Sequence, residues 1–156
     1  MIRIDTALLN ALSRKATHSS RKRKNHNFHS DMEDPLQRML NAIEPGSYIR
    51  PHKHENPDKR EAFLIIRGRL LLLEFDDSGA LTDHILLDPG GKNHGAEIAP
   101  GRWHSMIALE EGTVVFELKD GPYDPETDKK FAGWSPPEGA PGSADFIEGI
   151  RKTLNL

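Results

Sequence analysis

Two histidines separated by one residue are the clearest chemical feature of the sequence. His52 and His54 flank Lys53, and residues two apart in a β-strand point to the same face, so both imidazoles can converge on one metal ion. A chain of this length with eight histidines contains about 0.4 such pairs by chance. The pair alone therefore does not establish a metal site, and the residues around it must decide.

Composition limits which ligands such an ion can have. The sequence contains no cysteine, which excludes disulfides, iron–sulfur clusters and cysteine nucleophiles. Any metal must be held by His, Asp or Glu. The net charge of -3 argues against nucleic acid as a general partner. The basic run at residues 21–24 is typical of a solvated arm, with an anion site as the alternative.

Length and hydropathy predict a single domain that does not enter a membrane. A chain of 156 residues is about the size of one ordinary domain. The longest apolar run, residues 70–73, is far shorter than the roughly 20 residues of a membrane-spanning helix. Asp5 and Arg14 lie where a signal peptide needs its apolar stretch. We therefore expect a cytoplasmic protein with no membrane partner.

The pattern of apolar and turn residues predicts an all-β fold with a short helix at each end. About eight strand-like segments follow one another with no helical pattern between them, which is typical of an antiparallel barrel or a jelly roll. These segments are residues 38–43, 48–52, 61–67, 69–75, 81–87, 96–99, 103–109 and 113–118. Helical spacing of apolar residues predicts a helix at 5–17, capped by Asp5 or Thr6, and another at 144–156.

These patterns divide the chain into three parts. Residues 1–35 contain the N-terminal helix and a basic arm that serves as a linker or a lid, 36–120 form the barrel, and 121–156 form a Pro- and Gly-rich tail with the C-terminal helix. Apolar residues of both parities at 70–73 predict that both faces of this strand are covered. A second copy in a homodimer is the expected cover, and a terminal helix is the alternative.

Two blocks of the sequence resemble the two motifs of the cupin superfamily. In the first, Gly46 precedes the histidine pair, and Glu61 and Gly68 follow it. The second block reads PGRWH and ends at His104. The resemblance implies a single jelly-roll β-barrel with one divalent transition metal, for which Zn, Fe, Mn and Ni are candidates. It implies the ligands His52, His54, Glu61 and His104.

The chain departs from the cupin pattern at two places. The six residues between His54 and Glu61 make a longer interval than is usual, and Ala108 stands where the second motif usually ends in Asn. Glu55 is therefore a competing candidate for the carboxylate ligand. It lies directly beside His54 and would point to the opposite face of a continuing strand, which favours Glu61.

Further segments are similar to the WbuC family of cupin metalloproteins. They are KNHNFH at 24–29, QRMLN at 37–41, EPGSY at 44–48, RGRL at 67–70 and GPYDP at 121–125, followed by Lys129, Phe131 and Trp134. The resemblance covers roughly residues 20 to 140 and implies the fold and the metal. The name of the family comes from bacterial surface-polysaccharide gene clusters, and no reaction follows from it.

Five residues are candidates for ligand binding near the metal. Strand alternation predicts that Arg50 and Tyr48 share the inward face with the histidine pair. A buried arginine needs an anionic partner, which is either a substrate carboxylate or phosphate or an acidic side chain of the barrel. Asn25, Asn27 and His29 alternate in the basic arm and could bind a polyhydroxylated ligand, or the arm could add an edge strand with solvated side chains.

Two function classes fit this set of residues. The first is a metal-dependent enzyme acting on a small oxygenated metabolite, a sugar or nucleotide-sugar, by isomerisation or epimerisation, with an Fe(II) oxygenase as the alternative. The second is a non-catalytic protein that binds or senses a sugar. A proton-transfer residue beside the metal favours the enzyme, and His29, Tyr48 and Glu97 are the candidates. A metal closed by four protein ligands would instead be structural.

Overall fold

A computed structural model describes residues 1–156. It contains two helices and ten strands. In chain order they are α1 (Thr6–Thr17), β1 (Arg23–Asn27), β2 (Leu36–Ile43), β3 (His52–Lys53), β4 (Glu61–Arg67), β5 (Leu70–Phe75), β6 (Leu81–Leu87), β7 (Gly95–Ile98), β8 (Trp103–Ala108), β9 (Thr113–Asp120), β10 (Lys130–Phe131) and α2 (Ser143–Thr153).

The strands form two five-stranded antiparallel sheets. The first sheet has the order β1-β2-β9-β4-β7 and the second has the order β10-β3-β8-β5-β6. Their inner faces pack on each other around a common apolar core, in which Phe63 and Val115 of the first sheet meet Leu70, Leu72 and Met106 of the second. The prediction of an all-β jelly-roll fold with short N- and C-terminal helices is confirmed.

Each helix covers the outer face of one sheet. Helix α1 begins after Asp5, whose carboxylate accepts a hydrogen bond from the Leu8 N–H at 2.9 Å, as predicted for a helix cap. It packs Leu9, Leu12 and Ala16 against the first sheet. Helix α2 lies in the apolar cluster on the outside of the second sheet.

The apolar run in β5 is explained within one chain. Leu70 and Leu72 belong to the core between the sheets, whereas Leu71 and Leu73 pack with Ile147 of α2. The C-terminal helix therefore supplies the cover for which a second copy was the expected source. The homodimer stays a prediction without this support.

Two short strands lie outside the eight predicted segments, although an edge strand was one of the two alternatives for the basic arm. Strand β1 comes from the basic arm and β10 from the tail, and both lie at a sheet edge. An edge strand pairs through its backbone and needs no alternating apolar side chains, so the periodicity of the sequence does not reveal it. Segment 48–51 was predicted as a strand but has no regular structure, because Pro51 cannot donate a backbone hydrogen bond to a neighbouring strand.

Neither helix is long and apolar enough to cross a membrane.

Candidate metal centre

Four ligand-type side chains meet between the two sheets. His52 starts β3, His54 follows this strand, His104 lies in β8, and Glu61 starts β4 of the opposite sheet. One potential ligand atom from each lies within 4.8 Å of the others. All four residues are at most 3% exposed. His52 and His104 are direct partners across β3 and β8, so the sheet register itself brings two of the imidazoles together.

The main chain fixes the orientation of the three imidazoles. His52 and His104 each contact, through Nδ1, the carbonyl oxygen of the residue two positions earlier, at 2.9 and 3.0 Å. Nδ1 of His54 contacts the carbonyl oxygen of Asp128. A carbonyl oxygen only accepts hydrogen bonds, so each Nδ1 must carry the proton and donate it. In a neutral imidazole the lone pair then lies on Nε2, which is the arrangement of metal-binding histidines.

The carboxylate of Glu61 faces these nitrogens without forming regular hydrogen bonds. Its oxygens lie 3.0 Å from Nε2 of His54 and 2.8 Å from Nε2 of His104, yet both nitrogens and Oε2 of Glu61 lack a hydrogen-bond partner of acceptable geometry. Buried polar atoms without a partner are costly. An ion bound between them would satisfy all of them. Three imidazole nitrogens and one carboxylate oxygen fit a divalent transition metal.

The protonation states also suit a metal. Burial lowers the pKa of His52 well below its usual value, and the positive charge of Lys129 lowers it further. Burial raises the pKa of the Glu61 carboxyl group, but the facing imidazoles of His104 and His54 lower it by more, so that its pKa lies well below the usual range. The site therefore offers a neutral imidazole and a charged carboxylate, the forms that coordinate metals.

A buried ion network lies directly behind this cluster. The carboxylate of Asp128 accepts hydrogen bonds from Nζ of Lys59 at 2.8 Å and Nζ of Lys119 at 2.6 Å. Nζ of Lys119 is also 4.0 Å from Oε1 of Glu61. Because the carbonyl of Asp128 holds His54, the tail segment positions one of the four residues of the cluster.

Glu117 is a second buried carboxyl group on this wall. It pairs with Phe63 in the register between β9 and β4 and accepts a hydrogen bond from the side-chain amide of Asn41. Burial and the charge of Glu61 raise the pKa of Glu117 to about 7, although Lys119 opposes this shift. Neither Glu117 nor the ion network was predicted from the sequence. The available signal was the charge of residues 117 and 119 at inward positions of an otherwise apolar strand.

A pocket of about 780 Å³ opens onto the metal centre. Its wall includes His52 and Glu61, and the structure adds most of the predicted ligand-binding residues to the same wall. These are Asn25, Asn27, His29 and Arg50. Strand β1 carries the two asparagines, whose side chains are joined by a hydrogen bond of 2.7 Å. The basic arm thus forms both an edge strand and one side of the pocket.

Arg50 and Tyr48 do not share one inward face. The Tyr48 ring packs edge-to-face against Phe146, outside the second sheet, and its hydroxyl donates to the Pro136 carbonyl at 2.8 Å. Tyr48 is not part of the pocket wall. Strand alternation fails here because the segment before Pro51 is not a strand. The guanidinium of Arg50 donates to the Ala132 carbonyl at 2.7 Å rather than to an acidic side chain.

The acidic candidates Glu55 and Glu97 lie outside the four-residue cluster. Glu55 forms ion pairs with Lys53 at 2.9 Å and Lys130 at 2.6 Å and is outside the four-residue cluster, which supports Glu61 as the carboxylate ligand. Glu97 is exposed on β7 and does not line the pocket. A second pocket of about 560 Å³ adjoins α1 and has no hydrophobic lining, but it contains none of the four cluster residues.

The sequence comparison identifies the family. Residues 4–87, more than half of the chain, match the model of a family described as "Domain of unknown function (DUF6016)". The chain belongs to the DUF6016 family. This match does not confirm the resemblance to the WbuC family, which stays a prediction. A search of curated proteins finds no match.

Solved structures similar to the chain belong to the cupin superfamily. KdgF from Halomonas sp. has a TM-score of 0.51 at 17% identity, over 67% of this chain and 83% of that protein. The capsular polysaccharide assembling protein CapF from Staphylococcus aureus has a TM-score of 0.55 at 23% identity, over 69% of this chain but only 28% of that protein. L-ribose isomerase from Cellulomonas parahominis has a TM-score of 0.54 at 15% identity, over 71% of this chain and 69% of that protein. Identities this low establish the fold alone.

The position of the pocket determines what the centre can do. Four protein ligands would close a tetrahedral structural site, whereas a five- or six-coordinate ion would keep one or two positions for other ligands. His52 and Glu61 are part of the pocket wall. A small molecule in the pocket could therefore reach the remaining positions of an ion bound by these residues.

Proposed function

We propose that this protein is a metal-dependent enzyme that acts on a small, oxygen-rich and anionic metabolite. The observation that carries the proposal is the set of inward-facing ligand atoms of His52, His54, Glu61 and His104, placed at the wall of a pocket with many polar groups. A purely structural metal needs no such access. One divalent transition metal per chain is the expected cofactor.

The charge of the pocket wall supports an anionic ligand. Six cationic and five acidic side chains line it. Two of the acidic side chains are already engaged, because Glu61 belongs to the cluster and Asp128 pairs with lysines. A bound divalent ion would leave this wall with a positive formal charge. The amides of Asn25, Asn27 and Asn41 add donors and acceptors suited to hydroxyl groups. A sugar phosphate, a sugar acid or a nucleotide-sugar combines both properties.

Different side chains of the pocket would have different roles in such a reaction. The metal would supply Lewis acidity toward a carbonyl or adjacent hydroxyl groups. The asparagines of β1 would orient the hydroxyls of the substrate. Glu117 lines the pocket, lies outside the ligand set and has a carboxyl group, so it is placed to hold or move a proton of the substrate. A carboxyl group in this position favours an enzyme over a protein that only binds or senses a sugar.

A more specific assignment follows the resemblance to the WbuC family. We infer an isomerase or epimerase in the synthesis of a bacterial surface polysaccharide, located in the cytoplasm and acting as a homodimer. The names of two structural neighbours, a capsular polysaccharide assembling protein and an L-ribose isomerase, are consistent with this context. An Fe(II) oxygenase that uses the open positions for dioxygen is the alternative reaction.

Metal analysis and a substrate screen test the proposal. Freshly purified protein should contain about one divalent transition metal per chain, and replacing His52 and His104 together with Ala should abolish it, because half of the donor set is lost. The matched control replaces His84 and His94 with Ala, since both are exposed and lie outside the cluster. Full metal occupancy in the first double variant would show that the site is wrong.

The substrate screen addresses the reaction. Sugar phosphates, sugar acids and nucleotide-sugars are added to the metal-loaded protein, and proton NMR follows the exchange or conversion of the carbon-bound hydrogens. Thermal stabilisation identifies ligands independently of turnover. Stabilisation by a sugar without any conversion would support the binding or sensing protein instead.

A further inference from the structure

Lys129 differs from the lysines around it because it has no acidic partner. Its chain neighbour Lys130 pairs with Glu55 at 2.6 Å, and Lys119 pairs with Asp128 at 2.6 Å. Lys129 lines the pocket, but its ammonium group is in none of the ion pairs or side-chain hydrogen bonds that hold these neighbours. Its charge is therefore available to a molecule from outside.

The backbone of Lys129 is held from both sides. The preceding residue, Asp128, is fixed by two buried lysines and by His54, which contacts its carbonyl. The following residues, Lys130 and Phe131, form β10 and pair with β3, the strand that carries His52. The side chain thus starts from a rigid support next to the metal centre. None of these supporting contacts uses the ammonium group of Lys129.

Lys129 and the metal centre share one pocket. Lys129 lines the same pocket as His52 and Glu61. One molecule bound in this pocket can therefore face both the ammonium group and the metal centre.

We propose that Lys129 is a specificity-determining residue that binds the anionic oxygen group, carboxylate or phosphate, of a ligand whose other oxygens reach the metal. This inference rests on the proposed function, because it assumes a ligand at the metal centre. Lys129 and the metal then form two cationic sites at one pocket wall. A neutral polyol satisfies only one of them, so the pair selects for sugar acids or sugar phosphates.

The chemistry of the lysine supports this role. An ammonium group paired with an anionic oxygen forms a charge-assisted hydrogen bond. No internal ion pair has to be broken first, so the interaction carries no such cost. The ammonium groups of Lys119 and Lys59, by contrast, both pair with the carboxylate of Asp128.

Small probes separate the contribution of Lys129 from that of the metal. Glycolate and inorganic phosphate represent the two anionic groups, and ethylene glycol represents neutral hydroxyls. Isothermal titration calorimetry measures the affinity of each probe for metal-loaded wild type, Lys129→Met, Lys129→Arg and Lys92→Met. Lys92 is exposed and does not line the pocket, so its variant removes one positive charge elsewhere. Metal content is measured for every sample.

We expect Lys129→Met to weaken the binding of glycolate, phosphate or both by roughly tenfold to hundredfold, which is the size of a charge-assisted hydrogen bond. The anion that loses affinity identifies the group bound. Lys129→Arg should recover most of the affinity, and Lys92→Met should match the wild type. Ethylene glycol should respond to none of the substitutions.

Two results would overturn the inference. One is an unchanged affinity of Lys129→Met for both anions at equal metal content. The other is a wild-type protein that prefers neither anion over ethylene glycol. A wild-type protein without metal would instead refute the proposed function. The same titrations on metal-free protein would still show whether Lys129 binds an anion.

Discussion

Replacing Asp128 with Asn should destabilise the fold strongly, although it changes only one atom of the side chain. The carboxylate of Asp128 is the shared partner of Nζ of Lys59 and Nζ of Lys119, at 2.8 and 2.6 Å. All three residues are at most 5% exposed. Removing one member of a buried ion pair costs about 3 to 5 kcal/mol, because the remaining charge stays buried without compensation.

The magnitude lies toward the lower end of this range. The Lys59 ammonium keeps the Pro122 carbonyl as an acceptor, and the Lys119 ammonium keeps Glu61 at 4.0 Å. We therefore expect a loss of about 3 kcal/mol in the free energy of unfolding. For a domain of this size, that corresponds to a decrease of roughly 6 to 12 °C in Tm. Urea denaturation and differential scanning calorimetry measure the two quantities.

A matched variant controls for the chemical change. Asp120→Asn removes the carboxylate from the ion pair with Arg60, whose side chains are 33% and 61% exposed. An exposed pair of this kind contributes about 0 to 1 kcal/mol. If Asp128→Asn destabilised the protein no more than Asp120→Asn, the buried network would not have the structural role that its contacts indicate.

The pH dependence gives an independent check. Burial raises the pKa of Asp128, but Lys119 and Lys59 lower it by more, so that its pKa in the folded protein lies below the usual value. A group with a depressed folded pKa contributes stability above its unfolded pKa, and this contribution is lost as the pH falls through the folded pKa. The stability difference between wild type and Asp128→Asn should therefore be full at neutral pH and shrink below about pH 4. A difference that grew on acidification would contradict this assignment.

Two further substitutions test contacts at the pocket mouth. Arg50→Ala removes the hydrogen bond to the Ala132 carbonyl and should lower the free energy of unfolding by about 1.5 to 3 kcal/mol. The metal content should not change. A loss of metal would show that Arg50 also holds the metal-binding residues in place. Glu138→Gln removes the shared partner of Arg21 and Arg23, each at 2.7 Å. It should cost less than about 1 kcal/mol but accelerate amide hydrogen exchange in β1, and unchanged protection there would show that this ion pair does not hold the arm.

Elements with clear local signals in the sequence were predictable from it. The bounds of β4 and β6 agree with the predicted segments 61–67 and 81–87, because turn residues bound a short stretch of apolar and β-branched residues in both cases. Helix α1 and its cap at Asp5 follow from local signals as well. In each case the information lies within a few residues of the element itself.

Only part of the candidate metal centre could be predicted from strand alternation. Strand alternation placed His52 and His54 together, but His104 lies about fifty residues away in the chain. No local pattern joins it to the pair, so the resemblance to cupin motifs had to supply it. Arg50 and Tyr48 show the limit of alternation, because the rule holds only inside a strand and Pro51 interrupts this one.

The contribution of the tail could not be read from composition. Residues 121–156 are rich in Pro and Gly, which is typical of a connecting segment. In the structure this segment provides β10 as the edge strand next to β3. It also supplies the carbonyl of Asp128 that orients His54. A barrel limited to residues 36–120 would therefore contain all four residues of the candidate metal centre but lack the carbonyl that orients His54.

The same segment explains why charge is concentrated behind the metal centre. Nδ1 of His54 donates a hydrogen bond to a carbonyl oxygen, and in this fold that carbonyl belongs to Asp128 of the tail. The carboxylate of that residue is then carried into the interior, where burial demands counter-charges. Lys59 and Lys119 provide them, and Lys119 in turn faces Glu61. The network thus connects the tail to Lys59, which precedes β4, and to Lys119 of β9. Because Lys119 lies close to Glu61, a change in any of these charges should alter the electrostatic environment of the Glu61 carboxylate.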